Sequence, residues 1–182
     1  MEGISGLIII SVAALFAIAM VFNRLIAARN ACANARGSID SNLKKRHDLI
    51  PNLVKLVRAY AAHERETLES VTAARTAAIR ELGSTTSPLA EANLTDVLIV
   101  LEARVEAYPE LKASGEFSRL ARTLTELEEQ ISAARRAFNA HVMIYNNLVQ
   151  QFPTLLVARL TGFANKDYFS TRDRSAPDVG AY

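Results

Sequence analysis

Toward the end of the chain, Leu120, Leu124, Leu127, Ile131, Ala134, Phe138, His141, Tyr145, Leu148 and Phe152 follow one another at alternating steps of four and three. A 3.5-residue period held this long predicts a helix packed along its whole length against other helices. Leu49, Leu53, Leu56, Tyr60, His63, Thr67, Val71, Ala74 and Ala78 repeat the spacing, and Leu94, Leu98, Leu101, Val105 and Tyr108 form a shorter version. A weaker, smaller-sided stripe comprises Leu25, Ala28, Cys32, Ala35, Ile39 and Asn42. The punctuation divides these runs. Pro51 suits the first turn of a helix, Gly83 to Pro88 reads as a loop, and Tyr108-Pro109 and Phe152-Pro153 end two helices. Helices are predicted over about 4–46, 50–82, 89–107 and 112–151.

The stretch before the first stripe has a different pattern. Residues 4–22 carry no charge, and Ile4, Leu7, Ile8, Ile9, Ile10, Val12, Leu15, Phe16, Ile18, Met20, Val21 and Phe22 are its large apolar members. This approaches the roughly 20 residues that cross a hydrocarbon core as a helix, which satisfies its own backbone polar groups there. A buried soluble helix and a cleaved secretory signal are the alternatives. The second would need a basic region ahead of the run, where Glu2 is the only side-chain charge. Arg24, Arg29 and Arg36 follow the run. By the positive-inside rule they predict a single-pass protein with its N-terminus outside and its bundle in the cytoplasm. An extracytoplasmic bundle is the alternative.

The predicted fold is therefore all-α, an N-terminal transmembrane helix continuing into an antiparallel up-down four-helix bundle of long helices. Its parts are a tail and span over 1–22, a bundle over 23–152 and an apolar-aromatic C-terminal tail over 153–182. At 1.5 Å per residue, the last helix would be roughly 60 Å long against roughly 35 Å of first helix beyond the membrane. A bend or tilt is expected between Phe22 and Gly37.

Composition supports long helices: the chain of 182 residues holds thirty alanines against 7 glycines and 5 prolines. A single cysteine excludes an internal disulfide framework, and a formal net charge of +2 gives no electrostatic case for nucleic acid. No glutamate is followed three residues later by histidine, which a di-metal carboxylate bundle would require. There is no Gly-x-Ser-x-Gly elbow, phosphate-binding glycine loop or Cys-x-x-Cys pair. No enzyme activity, cofactor or small-molecule substrate is expected.

Two surfaces are candidates for interaction. Lys44, Lys45 and Arg46 either compensate the dipole at a helix C-terminus or form a patch for an acidic partner. Leu155, Leu156, Leu160, Phe163, Tyr168 and Phe169 either cap the bundle or make an interfacial or subunit contact. Alanine-rich faces such as Ala27, Ala28, Ala31 and Ala35 permit close helix approach, so a homo-oligomer is expected, with a further protein partner possible.

Several blocks carry a family resemblance. Asn34-Ala35, Ile39-Asp40, Leu43-Lys44-Lys45-Arg46 and Asp48-Leu-Ile-Pro-Asn-Leu-Val54 resemble the signature of the LemA family. Tyr60-Ala61, His63-Glu64, Thr72-Ala-Ala-Arg75, Tyr108-Pro-Glu-Leu-Lys112, Ala134-Arg135, Phe138-Asn139, Tyr145-Asn146, Phe152-Pro153, Gly162-Phe163 and Tyr168-Phe169 continue it in order. Arg36 and His47 stand where the family tends to have an aromatic residue and a tyrosine. The resemblance implies a bacterial membrane protein with an N-terminal span and an antiparallel helical bundle, and it brings no catalytic residue. It also marks Asn30, Asp48, Asn52, Arg135, Asn139 and Asn146 as either interhelical hydrogen-bond partners or surface contacts.

Overall fold

The computed structural model describes residues 2–83 and 87–169. Most of the described residues are helical, and none of them lies in a strand. In order they form α1 (Glu2–Tyr60), α2 (Arg65–Glu81), α3 (Ser87–Val105), α4 (Pro109–Lys112), α5 (Gly115–Gln150) and α6 (Thr154–Leu160). Residues 170–182 of the predicted tail lie outside the described residues.

One predicted boundary is corrected. The break expected between residues 46 and 50 is absent, and Pro51 lies inside α1. Proline has no amide hydrogen, so the carbonyl four residues back, that of His47, loses its helical donor. Arg75 of α2 supplies the replacement, its Nε donating to that carbonyl at 2.7 Å. The chain turns instead at Ala61–Glu64, and the predicted seam fails there, with Tyr60 and His63 exposed. α1 is likewise uninterrupted between Phe22 and Gly37.

The other ends follow local chemistry. Pro109 opens α4, where a missing donor costs nothing. Ser114 caps α5, its Oγ accepting from the Phe117 amide at 3.4 Å. Gly83 closes the α2 end at a φ of 83° that a side chain would oppose.

The chain folds as two compact units, the first of them built from two separate segments. The first comprises Met1–Ser38 with Ala133–Phe169, the second Ile39–Ser132. This follows from the lengths of α1 and α5, each of which contributes to both. In the second unit Ile50, Leu53 and Val57 of α1 share a core with Leu68, Val71 and Ala78 of α2, Leu94, Leu101 and Val105 of α3, and Leu111 of α4. Full burial of such side chains contributes about 1.5–3 kcal/mol each, before conformational entropy is set against it. The first unit buries Leu25, Cys32 and Ala35 of α1, Phe138, Val142 and Tyr145 of α5, and Val157 and Ala158 of α6. All but Val142, Val157 and Ala158 are positions on the predicted stripes.

Candidate functional site

The second unit contains an open cleft of about 250 Å³. Leu98, Ile99, Leu101 and Val105 of α3 form one wall, and Phe117, Ala121 and Leu124 of α5 form another. Leu53 and Arg46 reach it from α1, and Thr95 and Glu128 add polar groups. An apolar cleft with a few convergent polar groups is the usual form of a binding site.

Arg46 is the centre of those polar groups. Only 2% exposed, its guanidinium donates through Nη2 to Glu91 and through Nη1 to Glu128 at 2.6 Å and to Thr95 at 3.1 Å. Glu91 is itself 1% exposed, and its second oxygen lies 2.9 Å from His47 Nε2. Glu128 is 45% exposed and closes the network at the solvent side. Burial pushes the Glu91 carboxyl up, yet His47 close beside it and the Arg46 charge together hold it below its ordinary value. The network needs both helix faces. Arg46 and His47 are neighbours on α1, while Glu91 and Thr95 sit one turn apart on α3.

The predicted cationic patch is thereby divided. Lys44 and Lys45 are exposed, whereas Arg46 is turned inward. None of the three stands at a helix end, because α1 continues to Tyr60. Glu91 and Glu128 are missing from the sequence reading, although a signal existed. The first two stripes join into one if Arg46 occupies the step between Asn42 and Leu49, and Glu91 lies one step before Leu94. Opposite charges on two apolar stripes are the trace of a buried pair.

In the first unit the predicted tail residues separate into docked and outward groups. Gly162, with φ of 76°, ends α6 in a turn where the Phe163 amide bonds back to the Ala158 carbonyl at 3.0 Å. This sends the Phe163 ring to within 5.9 Å of Phe22 and 6.5 Å of Tyr145, with the Arg29 guanidinium 5.4 Å from its centroid. Farther on, the buried Phe169 ring lies 5.7 Å from the Arg36 guanidinium and 4.9 Å from that of Arg135. Leu155 is half-buried, while Leu156, Leu160 and Tyr168 face out. The predicted span is exposed over nearly all its length, only Gly6 and Val21 being half-buried. Its most apolar window has a mean hydropathy of 2.7 and no buried residue.

Two asparagines hold the tail backbone. Asn146 donates from Nδ2 to the Lys166 carbonyl and accepts from the Lys166 amide through Oδ1, both at 2.9 Å. Asn139, two turns earlier, makes the same pair with Phe169 at 3.1 and 2.8 Å. Both therefore bind an extended segment, neither a second helix nor solvent.

The model described as LemA family matches residues 35–180, most of the chain. The chain belongs to the LemA family. Among its relatives, Magnetosome protein MamQ of Magnetospirillum gryphiswaldense is 24% identical over 82% of this chain and 65% of its own length. Magnetosome protein MamQ 2 of Paramagnetospirillum magneticum is 24% identical over 90% of this chain and 70% of its own. Protein LemA of Metamycoplasma hominis is 25% identical over 86% and 72%. The chain thus spans about two thirds of the length of these relatives. Arg46, Arg75, Asn139 and Asn146 all belong to the blocks that resembled LemA, and each now has a structural partner. His47 and Arg36, which depart from the family pattern, are also engaged, with Glu91 and Phe169 respectively. Among the described residues, no group of three or more His, Cys, Asp or Glu side chains could hold a metal ion.

Proposed function

We propose that this LemA-family chain is a non-enzymatic, membrane-anchored helical protein that acts as a scaffold or interaction module and self-associates. The observation that carries the reading is the exposed apolar length of α1, whose most apolar window has no buried residue. Leaving so much apolar surface in water is unfavourable, and a lipid bilayer relieves that cost without requiring other backbone partners. Arg24, Arg29 and Arg36 beyond the span support a cytoplasmic location for the rest.

The cleft of the second unit supports the interaction role, because its apolar walls and half-exposed Glu128 offer a surface rather than a reactive centre. Magnetosome protein MamQ of Magnetospirillum gryphiswaldense and Protein LemA of Metamycoplasma hominis both match most of this chain, which fits a module used in different settings. Alkaline extraction of cell membranes tests the anchor: the chain should stay with the lipid, and release into the soluble fraction would overturn it. Crosslinking in intact cells should recover homo-oligomers. A monodisperse monomer in mild detergent at high protein concentration would refute self-association.

A further inference from the structure

The short helix α6 has the sequence TLLVARL, with a single charge at Arg159. Its Thr154, Val157 and Ala158 are buried against the first unit. The opposite side is equally apolar and open: Leu156 and Leu160, one turn apart, are 54% and 87% exposed, and Phe152 just before them is 79% exposed. Apolar side chains on both its buried and its open side are the mark of a helix partly covered by a core or by lipid.

Its position in the first unit decides between covers. Phe169 lies against Arg36 on α1 and Arg135 on α5, while Phe163 lies against Arg29 and Phe22 on α1 and Tyr145 on α5. Along this unit α1 and α5 therefore run in opposite senses. α5 runs on from Tyr145 to Gln150, roughly 7.5 Å farther toward the charge-free end of α1, and Phe152 follows directly. The exposed apolar group thus continues the exposed apolar surface of the span. Arg24, Arg29 and Arg159 stand exposed beside it, a charge pattern complementary to anionic headgroups.

We infer that α6 and Phe152 form a second membrane contact, lying in the interface beside the span with Phe152, Leu156 and Leu160 in the acyl boundary and Arg24 and Arg159 at anionic headgroups. The inference rests on the membrane-anchored reading above. It adds a lipid-facing foot, so the unit touches the bilayer at two places and its tilt about the span is restrained.

The test uses the unaltered full chain in vesicles of phosphatidylcholine and phosphatidylglycerol that carry a lipid-borne photoactivatable carbene, with adducts mapped by mass spectrometry. Adducts are expected both on the span and on the peptide holding Phe152–Leu160, several-fold denser there than around the exposed Ala140. They should fall several-fold in Leu156→Ser/Leu160→Ser, a change confined to exposed positions, and fall when phosphatidylglycerol is omitted. Adducts on the span alone would overturn the foot while leaving the anchor standing. Adducts on neither would overturn both. Crosslinks from α6 to a second copy, without lipid adducts, would overturn the foot in favour of a protein cover.

Discussion

Removing Glu91 tests the energetics of the buried network most directly. Glu91→Ala leaves Arg46, 2% exposed, with Glu128 as its remaining carboxylate partner among the described residues, and leaves His47 Nε2 without the carboxylate beside it. Deleting one partner of a buried ion pair costs about 3–5 kcal/mol, because the survivor keeps its desolvation penalty without compensation. For a chain of 182 residues that corresponds to a fall in Tm of roughly 6–20 °C. Arg46→Met should cost a similar amount. The double variant Arg46→Met/Glu91→Leu should cost much less than the two together, since replacing a whole buried pair by apolar side chains is often neutral. Glu128 can return to water in that variant, being already half exposed. Circular dichroism melts of the four proteins in one mild detergent give the cycle. Single variants costing under about 1 kcal/mol would mean the pair acts as an exposed one, and additive losses would mean the two charges do not depend on each other.

The remaining predictions use the same logic at other places. Arg75→Ala should destabilise by about 1–3 kcal/mol, and most of that loss should vanish in a Pro51→Ala background, where residue 51 regains the amide that bonds the His47 carbonyl; equal losses in both would disprove the substitution of one donor for another. Stability should fall as pH drops below the ordinary carboxylate value of about 4.3, because the Glu91 carboxyl is held lower when folded than unfolded and its contribution is lost as it protonates; Glu91→Gln should flatten that part of the Tm profile. Asn146→Ala should cost about 1–3 kcal/mol and raise hydrogen exchange at the Lys166 amide, which a purely helical role would leave unchanged. Cys32 should resist a thiol reagent until the chain unfolds, since burial pushes its thiol up more than Lys166 lowers it; rapid labelling of native protein would contradict this.

The seams were readable because a helix has one period and a core needs one face. Leu94, Leu101, Val105, Ile131, Phe138 and Tyr145 all lie buried where spacing placed them. The break expected before Pro51 was not, because the helical donor missing at residue 51 is replaced by a guanidinium from another helix, and no local pattern announces a partner 28 positions away. The first and second stripes accordingly read as two when they are one. Arg46 looked like one more surface cation among lysines, yet its step in the repeat distinguished it from Lys44 and Lys45. The roles of Asn139 and Asn146 were the least legible. The resemblance marked both, but an amide can serve a helix, a loop or water equally well, and only the course of the tail shows which.

Those two amides have an evolutionary and practical corollary. Each grips main-chain atoms alone, so the grip at position 166 is blind to the side chain displayed there and excludes only proline, which offers no hydrogen to share. Exchanging Lys166 for another residue would forfeit its ammonium over the Tyr145 ring, 5.8 Å from the centroid, and leave both main-chain hydrogen bonds of the strap in place.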